Sequence, residues 1–191
     1  MKKLFYCLLF VGSFFAEAQE KNYKNEFVNR RSLGFTIQRG IPYYDLPEGK
    51  PYYLSGITAN FHQPFFKSKK AVNTAIDIIP EIWLAYAHTV SEEIGLNATL
   101  NLDIQIKRSL LSFHAGSGFH YFGMETEKQA KGFAFANNFY LQYKRTLVTG
   151  KNKIFELGFL SGFRHLSNLN TKMPNGGINN IMIGFCFDKV F

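Results

Sequence analysis

Near the end of the chain, in the stretch LGFLSGFRHLSN from Leu157 to Asn168, His165 and Ser167 stand two residues apart. An imidazole that takes a proton and a hydroxyl that attacks are the two groups of nucleophilic acyl transfer. Residues two apart share a face in an extended chain, and the surrounding text alternates as a strand does. Phe155, Leu157, Phe159, Ser161, Phe163, His165 and Ser167 fall on one side, and Glu156, Gly158, Gly162 and Arg164 on the other. A base and a nucleophile therefore end the apolar side of a strand. Farther on, Asn179 has the parity of Ile181, Ile183 and Phe185, which would bring an amide to the same wall. Spacing alone is equally compatible with a polar rim where a strand leaves an apolar layer.

The elements that must position these groups are strands throughout. In NATLNLDIQIKR the residues Ala98, Leu100, Leu102, Ile104 and Ile106 alternate with polar ones, a period of two rather than a helical one. The pattern recurs in LGFTIQRG, GITANFHQ, TAIDIIPEIWLAYAH, LLSFHAGSGFHYF, GFAFANNFYLQY, IFELGFLSGFRHLSN and INNIMIGFCFDKVF. Turn-rich pieces such as DLPEGKP, KSKK and VTGKNK separate the runs. About eight strands in one domain are expected.

Such a chain folds either as a soluble sandwich or as a small membrane barrel with its apolar face outward. The opposite face holds Thr36, Gln38, Asp77, Glu81, Asn101, Asp103, Asn138, Gln142, Glu156 and Arg164, a set suited to a polar barrel interior with paired charges. The 21 Phe and 10 Tyr suit the aromatic girdles of a membrane barrel, with Tyr and Trp placed near strand ends. The terminal Phe191, after alternating Ile181, Ile183, Phe185 and Phe187, resembles the assembly signal of outer-membrane proteins. The expected fold is an all-β, eight-stranded antiparallel outer-membrane barrel, closed so that lipid meets no unpaired edge.

The first residues, with Lys2 and Lys3, an apolar run from Leu4 to Phe15 and the Ala16-Glu17-Ala18 site, read as a secretory signal over residues 1–18. Residues 19–191 are then the single barrel domain. Cys186 is left without a partner, which excludes an internal disulfide and a multi-cysteine metal site. The net charge of +8 loses two positive and one negative charge with Lys2, Lys3 and Glu17, leaving +7. That balance favours anionic lipid or lipopolysaccharide as partner, and export rules against nucleic acid. No cofactor is expected, and a homodimer stays open because nothing in the sequence fixes the oligomeric state.

The segment RHLSNLNTKMPNGGIN, Arg164 to Asn179, resembles the His-x-Ser-Asn and downstream Pro-Asn-x-Gly segment of the PagL-type lipid A 3-O-deacylases, outer-membrane enzymes with an eight-stranded barrel. The resemblance implies His165 as general base, Ser167 as nucleophile, and Asn168 and Asn175 in oxyanion stabilisation or site support. It also implies lipid A as substrate and ester hydrolysis as the reaction. Two positions depart from the family pattern: Asn179 stands where a Glu orients the histidine, and Asn170 replaces a small Gly. An amide fixes the histidine tautomer but adds no charge to stabilise imidazolium, so reduced activity, or none, is expected.

The remaining chemistry-bearing residues read more simply. His62, His88, His114 and His120 lack a metal-ligand spacing and are expected to pack or to sit at the rim. Asp77, Glu81, Asp103 and Glu156 are expected as interior partners of Arg39, Lys107, Lys144 or Arg164. Gly116-Ser117-Gly118 lacks the strand-to-helix setting of a nucleophile elbow. The rival functions are a non-enzymatic barrel (structural, adhesin or pore) and a phospholipase or acyltransferase using the same pair.

Overall fold

A computed structural model describes residues 29–43, 51–65, 71–149 and 153–191. The inferred signal segment and the DLPEGK and KSKK pieces lie outside these residues. Eight strands follow one another: β1 (Ser32–Pro42), β2 (Tyr53–Pro64), β3 (Val72–Tyr86), β4 (Val90–Ile106), β5 (Ser109–Phe122), β6 (Gly132–Thr149), β7 (Lys153–Ser167) and β8 (Ile178–Val190). Each pairs antiparallel with its neighbours, and β1 pairs with β8 to close the barrel. Closure gives every strand a partner on both edges, the condition for backbone in contact with lipid.

Alternation sorts the side chains as the sequence predicts. Thr36, Gln38, Asp77, Glu81, Asn101, Asp103, Asn138, Gln142, Glu156 and Arg164 are all buried inside. Outward, Leu33, Phe35, Ile37, Ile57, Leu100, Phe159 and Phe185 are exposed on the wall, the inverse of a soluble protein. Aromatic pairs brace this exterior near both ends. Phe119 and Phe135 stand 5.0 Å apart and Tyr121 and Phe133 5.9 Å at one end, with Phe35 and Phe187 at 5.6 Å towards the other.

Inside, ion pairs occupy two levels. Lys144 Nζ lies 2.7 Å from Asp188 and 3.5 Å from Glu156, while His62 Nδ1 lies 2.7 Å from Asp77. Nearer the end that carries β7's last residues, Arg164 pairs with Glu93, which also meets His120 Nδ1 at 2.7 Å. Above these pairs an apolar cluster that includes Tyr52, Leu54, Phe122, Leu166 and Ile178 fills the barrel mouth. Eight strands leave an interior just wide enough for side chains to fill, and here they fill it.

Three expectations change. Trp83 is near the end of β3 but points inward, fully buried, donating to Glu81 at 2.9 Å beneath the Arg164 guanidinium, so it is no girdle residue. Arg39 is not an interior ion-pair partner: Gln38 takes the inward position, so Arg39 turns out and donates to Ser55 Oγ at 2.9 Å. Lys107 lies in the β4–β5 turn, with φ of 56°, and not in the interior. The histidines are placed as expected, in packing or end positions: His62, His114 and His120 pack in the interior beside carboxylates, and His88 lies in the β3–β4 turn.

Candidate active site

Strand β7 ends with Leu166 packed into the mouth, fully buried, which forces His165 and Ser167 onto the outer wall. Strand β8 begins the same way, with Ile178 inward and Asn179 outward. The register sets His165 directly opposite Asn179. His165 Nδ1 lies 2.7 Å from Asn179 Oδ1. An amide oxygen only accepts, so Nδ1 carries the proton and Nε2 is left as the base. Ser167 shares their face, half-buried, one pair farther towards the barrel end and opposite Phe135. Its hydroxyl makes no hydrogen bond to either among the described residues, and such bonds are often loose before substrate binds.

The β7–β8 loop, residues 168–177, is held by its asparagines. The Asn168 backbone N–H donates to Asn175 Oδ1 at 2.9 Å, and Asn168 Nδ2 donates to the Lys172 carbonyl at 2.6 Å. Asn175 Nδ2 in turn donates to Asn170 Oδ1 at 2.7 Å. Asn170 has φ of 62°, the left-handed region that a glycine adopts freely and that asparagine tolerates best among the others. Its side chain thus serves the loop where a glycine would serve it by conformation alone.

The loop is also clamped to the β5–β6 connection. Ala130 N–H donates to the Pro174 carbonyl at 2.9 Å and Gly176 N–H to the Lys128 carbonyl at 2.6 Å. Asn168 and Asn175 thus hold the loop that follows Ser167 in place. In the loop that follows Ser167, the backbone amides of Leu169 and Asn170 make no hydrogen bond among the described residues, and Asn175 keeps a second N–H.

Two further residues touch the site without an obvious sequence signal. Gly177, with φ of 69°, lies against the imidazole; a Cβ there would stand 2.5 Å from His165 Cε1. Asn137 on β6 is paired with His165 from the other side and faces outward between Phe135 and Phe139. Alternation in GFAFANNFYLQY already turns Asn137 out, but only the β6–β7 register brings it to the histidine. Among the described residues no cluster of side chains fit to hold a metal is present.

A closed barrel with an apolar outer wall, and with His165, Asn179 and Ser167 on one outward face near its end, defines a membrane-spanning β-barrel. The family model described as Lipid A 3-O-deacylase (PagL) matches residues 55–187, so the chain belongs to that family. A solved structure, the crystal structure of the outer membrane enzyme PagL, superposes with a TM-score of 0.52 at 12% identity, covering 79% of this chain and 97% of that one. At that identity the likeness speaks for the barrel. A comparison with curated proteins gives no match. The protein is an eight-stranded barrel of the outer membrane.

Proposed function

We propose that this protein is an esterase of the outer leaflet that removes an ester-linked acyl chain from lipid A. The observation that carries the reading is the His165–Asn179 contact on the lipid-facing wall, at the 2.7 Å that fixes the tautomer a serine nucleophile requires. His165 Nε2 takes the proton of the Ser167 hydroxyl as Oγ bonds to the ester carbonyl carbon. The carbonyl oxygen becomes an oxyanion, met by the Leu169 and Asn170 amides and the free Asn175 N–H. Collapse breaks the bond to the sugar oxygen, which takes the proton back from the imidazolium. Water then attacks the acyl-serine, giving one proton to His165 and releasing the fatty acid, and Ser167 regains its hydrogen.

The position of the site supports a lipid substrate. The acyl chain stays in the membrane against the wall while its ester reaches Ser167, so no deep pocket is needed. Lys128, Lys131 and Lys172 stand in the two loops clamped together above the site, suited to the phosphates of lipid A. Lipid A profiled by mass spectrometry, from cells lacking such an enzyme and expressing this chain, should lose the mass of one ester-linked acyl chain. An unchanged profile with correctly inserted barrel overturns the reading.

A further inference from the structure

The surface charge of the barrel is unevenly divided between its two ends. Arg31, just before β1, and Arg145, Lys153 and Lys189, on β6, β7 and β8, all face outward at the end where β1 starts and β8 stops. These strands are consecutive around the barrel, so the four cations form one arc. Lys107 and Arg108 alone join β4 to β5 at the same end. Among the described residues no acidic side chain is exposed there, because Asp77, Asp103, Glu156 and Asp188 all turn into the interior. At the other end Arg39, Lys128, Lys131 and Lys172 share the surface with Glu92, Glu125 and Glu127. The excess positive charge of the barrel therefore lies at the end opposite His165 and Ser167.

We propose that this arc binds anionic glycerophospholipids of the periplasmic leaflet through their phosphates. Short turns of an outer-membrane barrel face the periplasm and long loops the outside, which places the two-residue β4–β5 turn in the periplasm and residues 123–131 and 168–177 outside. The position of the cations on the wall selects lipid headgroups over a partner met end-on. Lys189 follows Phe187 on its face, which stands 5.6 Å from both Phe35 and Phe155, and Arg145 follows Tyr143, 5.5 Å from Phe159. Lys189 Nζ lies 4.9 Å from the centre of the Phe191 ring. Val190 pairs with Ser32 and with Ile154, which sets Phe191 between Arg31 and Lys153. The apolar wall thus ends in aromatics interleaved with cations, the level at which rings anchor a barrel and long basic side chains reach phosphates. A zwitterionic headgroup brings its own cation and leaves such a rim unbalanced, whereas a net anionic one neutralises it. Neither His165 nor Ser167 takes part, so the esterase reading is not needed.

The test measures binding of phosphatidylglycerol and phosphatidylethanolamine to the whole barrel in detergent by native mass spectrometry. Phosphatidylglycerol should bind about tenfold more tightly, and its advantage should shrink as ammonium acetate rises from about 0.05 to about 0.5 M. Arg31→Gln, Arg145→Gln, Lys153→Gln and Lys189→Gln combined should bring the two affinities together in a barrel shown to be folded by heat-modifiable migration. Lys128→Gln, Lys131→Gln and Lys172→Gln combined, at the other end, should keep most of the preference. Equal affinities in the parent overturn the proposal, as does a preference that survives the first set of substitutions or falls only with the second. Binding of anionic peptidoglycan fragments in place of either lipid overturns it in favour of a cell-wall contact. If the first variant does not fold, the parent's salt series decides, because a preference untouched by salt also overturns the proposal.

Discussion

His165 Nδ1 sits 2.7 Å from Asn179 Oδ1 across the β7–β8 pair, so the imidazole faces a neutral amide, which on the proposed esterase reading takes the place of an orienting carboxylate. The contact supplies half of what an acid supplies. It holds the proton on Nδ1 and presents Nε2, but adds no negative charge beside the imidazolium formed during the reaction. Asn179→Glu keeps the acceptor and restores the charge, at the cost of one methylene. Ester hydrolysis should rise by roughly tenfold or more in this variant. Initial rates on lipid A in micelles check it; a folded variant with unchanged or lower rate means that the histidine draws on another partner.

Gly177 constrains the same ring from the loop side. With φ of 69° and a would-be Cβ 2.5 Å from His165 Cε1, the position has neither the conformation nor the space for a side chain. Gly177→Ala should therefore displace the imidazole and lower hydrolysis by about tenfold to a hundredfold, since an ångström of misplacement is that costly. The barrel, whose strands it does not enter, should keep its heat-modifiable migration. Full activity in this variant would show that the ring is placed by Asn179 alone.

How much of this was legible without coordinates follows from what alternation encodes. Period two assigns each residue to a face, and so the interior set around Asp77, Glu156 and Arg164 and the outward set of His165, Ser167 and Asn179 stand in the sequence itself. Alternation also turns Arg39 outward and Trp83 inward, against the general tendencies of an Arg to seek carboxylates and a Trp to seek the interface. What alternation omits is register. Asn137 meets His165 only because β6 and β7 pair with that offset, and the hydrogen bonds among Asn168, Asn170 and Asn175 depend on loop dihedrals that no periodicity records.

The interior charges carry stability rather than chemistry. Lys144 is buried between Asp188 and Glu156, at 2.7 and 3.5 Å. Lys144→Met leaves two buried carboxylates facing each other without a cation and should cost about 3–5 kcal/mol. Adding Asp188→Asn and Glu156→Gln should restore most of that loss, because the penalty lies in unpaired charge and not in the missing bond. Urea midpoints of folding in detergent, followed by band shift, compare the three proteins. A single variant as stable as the parent would mean that water reaches these carboxylates.

Ser167 and His165 stand on the wall where truncation removes little packing, so their loss should affect rate and not fold. Ser167→Ala and His165→Ala should each abolish measurable release of fatty acid from lipid A, a loss on the order of 10⁴-fold or more. The double variant should lose little beyond either single one, because nucleophile and base act as a unit and half of the pair is worth almost nothing alone. All three should insert and migrate as the parent does, which separates a chemical loss from a failure to fold. Lipid A mass profiles from cells expressing each protein at equal level provide the measurement. Deacylation that persists in Ser167→Ala would mean that the hydroxyl is not the nucleophile, and additive losses in the double variant would mean that His165 acts on something other than Ser167.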